Sequence, residues 1–139
     1  MPAGSDLDKN LLSKSSLSSY PILELESGEF LNDSLAIANF IAKIGNNSEI
    51  LGSGASQQAQ VDFWMQFMRL QVLPLVKAIS LMAFGHKKCE SLDDHTALSN
   101  EFKELAKTLN NSLKNKQNMV GNKLTICDIY ICLVLAEMQ

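Results

Sequence analysis

A chain of 139 residues with a 46% hydrophobic and a 19% charged share fits one globular domain with a core of its own, and excludes a disordered tail. Few aromatic residues and three prolines favour helices over a β-sandwich. A net charge of −3, a sequence pI near 5.3 and a single adjacent basic pair, Lys87-Lys88, exclude the electrostatic footprint of a direct nucleic-acid binder.

Residues 1–19 read as a polar leader, with serines at 13, 15, 16, 18 and 19 and one short helical turn expected around residues 7–12. Residues 20–26 alternate Leu with Glu. With the Ser27-Gly28 turn and Glu29-Phe30-Leu31 they predict two short strands, over 21–26 and 29–31, joined tightly. A two-stranded ribbon is marginal alone and must lie against helices or other strands.

Asn32 and Asp33 offer caps for a helix over Ser34–Ile44, with Leu35, Ile37, Ala38, Ile41 and Ile44 on its apolar face and Gly45 as its stop. Residues 46–56, with Gly52 and Gly54, read as a loop. They divide a small β-containing part, 20–45, from a helical domain, 56–139.

From Ser56 a long helical pattern carries Val61, Trp64, Met65, Met68, Val72, Leu75, Val76 and Ile79 in one stripe, which Phe63, Phe67 and Leu70 widen beyond half the circumference. One edge of the Phe63, Trp64, Met65, Phe67, Met68 cluster is therefore a candidate partner surface. Pro74 cannot donate to the Leu70 carbonyl, so a kink is expected there rather than two helices, ending near Phe84-Gly85.

Residues 86–94 read as a polar connection, with Asp94 or Thr96 capping the next helix. Leu98, Phe102, Leu105, Leu109 and Leu113 give that helix one apolar side before residues 110–118 drift into a loop. His86, Cys89 and His95 match no zinc spacing and read as surface residues, so no metal is expected. Cys89 is a candidate oxidisable thiol.

The strongest local signal lies at the end of the chain. Thr125 is a good helix N-cap, Asp128 can reach back to its backbone N–H, and Leu124 and Ile129 sit at the staple positions. Beyond them, Ile129, Ile131, Cys132, Leu133, Val134, Leu135 and Ala136 occupy every side, predicting a central helix surrounded by protein, with Cys127 and Cys132 as small core residues. The run is too short for a membrane span and contains Glu137. Buried free thiols and the lack of a secretory-type N-terminus point to the cytoplasm. The chain stops at Gln139 within an apolar helix without a C-cap, which reads as truncated. Exposed strand edges and this helix end predict self-association, including a possible homodimer, or a partner subunit.

Tyr20-Pro21-Ile22-Leu23-Glu24, the turn at Gly28, Leu31-Asn32-Asp33-Ser34-Leu35-Ala36-Ile37 and residues 119–129 resemble, in order and spacing, the glutathione S-transferase family over about residues 20–139. The resemblance implies a mainly α fold, a transferase C-terminal-like helical bundle preceded by a two-stranded remnant of the thioredoxin-like half. It also implies a strand opened by a cis-proline at Pro21. Asp33 and Ser34 correspond to the pair that binds the γ-glutamyl end of glutathione, since a helix N-terminus with a hydroxyl suits a carboxylate. The Thr125 and Asp128 box starts the family's central helix.

Gln60-Val61-Asp62-Phe63-Trp64 and residues 118–129 look most like the domain carried by translation elongation factor 1 gamma subunits. The transferase-like domains of aminoacyl-tRNA synthetases and their scaffolds come second. No apolar strand carrying a Tyr, Ser or Cys nucleophile-activator stands before Tyr20 in this sequence. The resemblance therefore implies no catalytic residue, no cofactor, and vestigial glutathione positions at Asp33 and Ser34. It implies a non-catalytic docking domain among protein subunits of the translation machinery, with a glutathione transferase as the enzymatic alternative.

Overall fold

The computed structural model describes residues 12–14, 20–45, 48–86 and 92–137. The fold divides into two compact units after Ser48. Residues 12–14 are helical; the rest of the expected leader turn, and Cys89, lie outside the described residues.

In the first unit, β1 (Ile22–Glu24) and β2 (Phe30–Asn32) pair antiparallel, with Ile22 opposite Asn32, Leu23 opposite Leu31 and Glu24 opposite Phe30. The strands are shorter than the alternation suggested, because the turn begins at Leu25. Leu25 N–H donates to Glu29 O at 2.8 Å, Gly28 N–H donates to Leu25 O at 2.9 Å, and Gly28 takes φ 83°. The Tyr20-Pro21 peptide is cis. Helix α1 (Ser34–Ile44) follows, capped by Asp33.

Leu35 is buried, but Ile41 is 53% and Ile44 66% exposed, so the expected apolar face of α1 is only partly covered. The reason is dimensional. Two strands about 5 Å apart are narrow against a helix roughly 16 Å long. Gly45 ends α1 in extended backbone, with its N–H on Ile41 O at 2.9 Å.

The second unit departs from the expected loop over 46–56. A 3-10 turn occupies Ser48–Leu51, and α2 (Gly54–Phe67) starts two residues before Ser56. Gly52 between them is buried at φ 100°, and a Cβ there would fall 2.9 Å from backbone atoms of Gln57 and Gln58. A π turn (Met68–Val72) then runs directly into α3 (Leu73–Ala83), making one continuous helical course. The helix therefore runs on past Pro74 as one course, as expected, with the irregularity taken up by the π turn. Proline offers no N–H to Leu70, and the wider turn closes with Leu73 N–H on Met68 O, five residues back.

Helix α4 (Leu92–Leu113) contains Asp94 and Thr96, so neither is its cap, and it absorbs residues 110–113 that polarity had assigned to a loop. Helix α5 (Ile126–Ala136) completes the unit.

The core takes Val61, Met65, Met68, Val72, Leu75 and Val76 from the long helical course and Leu109 from α4. Met119 and Val120 join it from the connecting loop, with Ile126, Cys127, Ile131 and Val134 from α5. Met68, Val72, Val76 and Cys127 have no exposed surface, and full burial of the methionine and valine side chains contributes roughly 1.5–3 kcal/mol each.

Helix α5 packs on α2, the π turn and α3. That covers one side. Leu133 is 62% exposed, Ile129 39%, and Cys132 is exposed, which corrects the expectation of a helix enclosed on every side and of Cys132 as a core residue. Its end also has a partner that sequence reading missed: Ser80 Oγ donates to Glu137 O at 3.3 Å.

Candidate functional site

The positions corresponding to a glutathione site begin at Asp33. Strand β2 ends at Asn32, and the chain turns into α1 through Asp33 at φ 80° and ψ 124°, a conformation that costs a non-glycine residue about 1–3 kcal/mol. Asp33 Oδ1 accepts Leu35 N–H at 3.0 Å and Ala36 N–H at 3.2 Å. These are the unpaired donors that make a helix start attractive to an anion. Here the chain's own carboxylate satisfies them, while Ser34 is exposed beside it. A second carboxylate at this helix start would meet like charge and two donors already engaged, those of Leu35 and Ala36.

The Thr125 and Asp128 box is present at the start of α5. Thr125 N–H donates to Asp128 Oδ2 at 2.9 Å, and the Thr125 hydroxyl donates to the same oxygen at 2.8 Å. The other carboxylate oxygen, Oδ1, accepts Met119 N–H at 2.8 Å. Asp128 thus fastens the loop before α5 to its first turn, and buries Met119, Val120 and Thr125 in doing so. Met119 is the member that sequence reading missed. The available signal was an apolar pair, Met119-Val120, inside an otherwise polar stretch.

Cys127 lies against this box, its Sγ 3.1 Å from Thr125 Oγ1. Burial raises its thiol above the ordinary value of 9.0, and the neighbouring Asp128 carboxylate pushes in the same direction, so the group stays protonated and unreactive. Leu124, at 58% exposed, and Ile129 stand at the staple positions outside the core.

The wide stripe of the long helix separates into two surfaces. Met65 and Met68 are core, whereas Phe63 is 59% and Leu70 65% exposed, with Trp64 and Phe67 half-buried. Phe63 meets Trp64 edge-on at a centroid distance of 5.0 Å, and Trp64 meets Phe67 edge-on at 5.5 Å. Phe63 and Phe67 stack at 6.4 Å. The aromatic edge is thus a braced, outward-facing apolar patch, and the methionines expected beside it belong to the interior.

His86 and His95 are exposed. Among the described residues no three His, Cys, Asp or Glu side chains group as metal ligands, and no helix is long and apolar enough to cross a membrane.

No protein-family model matches the sequence. Eukaryotic translation elongation factor 1 epsilon-1 from Cricetulus griseus is 29% identical over 111 residues, which are 80% of this chain and 52% of that protein. Probable elongation factor 1-gamma 1 from Arabidopsis thaliana is 25% identical over 109 residues, 78% of this chain and 26% of that protein. The chain spans about half, or less, of the curated relatives it matches.

Among solved structures, the GST-like domain of elongation factor 1-gamma from Saccharomyces cerevisiae is similar at a TM-score of 0.78 and 16% identity, covering 94% of this chain and 60% of that one. A glutathione S-transferase from Pseudomonas fluorescens is similar at 0.73 and 24%, covering 93% and 65%. The fold is that of glutathione S-transferases, mainly helical with a two-stranded antiparallel sheet, as the motifs implied.

Proposed function

We propose that the chain is a non-catalytic, cytoplasmic docking domain that assembles with protein subunits of a translation elongation complex. The observation that carries this reading is Asp33. Its carboxylate satisfies the second and third amides of α1, those of Leu35 and Ala36, at the position where the fold's enzymes would receive the carboxylate of glutathione. Similarity to elongation factor 1 epsilon and gamma proteins supports the translation setting. The outward aromatic edge at Phe63, Trp64 and Phe67 supports a partner-binding role.

Affinity capture of the tagged chain from its own cells, read by mass spectrometry, tests this reading. Elongation-factor subunits in near-equal amounts are the expected result. Recovery of aminoacyl-tRNA synthetases instead would move the chain to a synthetase scaffold, and recovery of no translation protein would overturn the proposal.

The structural neighbours that are named glutathione S-transferases favour a second reading, an enzyme. A conjugation assay with a chloronitrobenzene acceptor separates the two: turnover abolished by Ser34→Ala would establish the enzyme.

A further inference from the structure

Among the described residues the two-stranded sheet has an open side. Leu25 N–H donates to Glu29 O across the turn, and in an antiparallel ladder the bonded pairs alternate, so Leu23 pairs inward with Leu31 while Ile22 and Glu24 turn their N–H and C=O groups away from β2. No strand lies on that side of β1 among the described residues. Beside it runs a groove of about 600 Å³ lined by Leu23, Leu25, Phe40, Ile41 and Ile44. Ile41 and Ile44 are the residues of α1 left exposed. The remaining long side chains of the lining are carboxylates, Glu24 and Glu26, and no cation of the described residues joins them.

A free backbone edge, an apolar floor and an acidic rim specify one kind of occupant. We propose that β1 and this groove bind an extended segment of a partner protein by strand addition, a segment with apolar residues at alternate positions and Lys or Arg between them. The backbone of Ile22 and Glu24 supplies the pairing, the groove takes every second side chain, and the two glutamates select for basic neighbours. A second copy of this chain is disfavoured, because edge-to-edge pairing would set Glu24 and Glu26 close to their counterparts. The inference rests on the docking reading and names its partner's chemistry. Failure of the cell capture would leave the peptide result standing, and the reverse.

The probe is a fluorescent peptide of about eight residues alternating Val and Lys, a length typical of one strand. It is titrated against the whole chain by anisotropy, with amide shifts of Ile22 and Glu24 followed by NMR. Saturable binding is expected, with both amides shifted. A Val/Glu peptide should bind far more weakly. N-methylation on the pairing side of the peptide should abolish binding, and N-methylation on the other side should leave it. Ile41→Lys, at a position already 53% exposed, should weaken binding about ten-fold, as loss of an apolar anchor does.

Equal binding of the Val/Glu peptide, indifference to N-methylation, or no saturation up to about 1 mM, the weakest affinity worth calling specific, would overturn the proposal. So would a doubled mass by light scattering that Ile41→Lys returns to monomer, since the edge would then belong to a second copy.

Discussion

An aspartate secures the start of two helices, Asp33 as the N-cap of α1 and Asp128 from the third position of α5, and the two are built differently. Asp33 Oδ1 accepts two amides of the turn that follows it, those of Leu35 and Ala36, from a backbone held at φ 80°. Asp128 uses both oxygens and reaches nine residues back, to Met119, as well as to Thr125. The first punctuates a helix. The second also fastens a loop to the core, since Met119 and Val120 are buried because that loop is held. The capping bonds of Asp33 are thus local, whereas Asp128 adds a tertiary bond to Met119.

The largest expected effect tests this contrast directly. Asp128→Ala should lose about 2–4 kcal/mol, because it strands two backbone donors and a hydroxyl in a half-buried place. Denaturant midpoints by circular dichroism measure it, and a loss no larger than that of an exposed cap would erase the distinction. Thr125→Val, which keeps the shape and removes the hydroxyl, should cost about 1 kcal/mol. Combined with Asp128→Ala it should cost less than the sum, because both changes remove one shared hydrogen bond.

Asp33→Ala should lose about 1 kcal/mol, the ordinary value of an N-cap. Asp33→Gly sharpens the comparison. Glycine surrenders the cap but is at ease at φ 80°, so its midpoint should lie above that of Asp33→Ala. The opposite order would mean that the backbone there carries no strain.

The smallest effect concerns Cys127, beside the second cap. Its thiol is raised in the folded chain, so the unfolded chain ionises first as pH climbs. Stability from this group is fully present below the ordinary thiol value of 9.0 and declines as pH rises from there through the folded value. Cys127→Ala should flatten that alkaline decline relative to the parent chain. A thiol reagent should label exposed Cys132 at once and Cys127 only on unfolding.

Both caps were legible from the sequence because capping is written in residues one to three positions apart. Thr125 and Asp128, Asp33 and the start at Ser34, the turn at Gly28 and the resemblance to the transferase fold all came from such short-range patterns. What was not legible is coverage. Hydrophobic periodicity says that Ile41, Phe63, Leu70 and Leu133 share faces with core residues, but not whether any element lies over them; in each case little does.

The Met119 tie was hidden for the same reason, being set by a fold that brings a loop to a helix. The start of α4 at Leu92 shows the converse error. Asp94 and Thr96 are good caps in isolation, yet the helix runs through them. The π turn escaped notice because Pro74 announces a missing donor without saying how the chain will accommodate it. The resemblance gave Asp33 and Ser34 as glutathione positions, while the capping role that the hydrogen bonds of Asp33 show is the one its local pattern offered.

Gly52 carries a consequence for how this protein can vary. Its position looks like an ordinary connector, where substitutions are usually tolerated. Yet any side chain would sit 2.9 Å from the backbone of the next helix while also demanding φ 100°. Gly28 has a similar φ and nothing within 4 Å, so alanine there is awkward but fits. In a library covering every single substitution, position 52 should be empty of survivors while position 28 retains several. A search for descendants of this sequence should treat the first glycine as a fixed point and the second as negotiable.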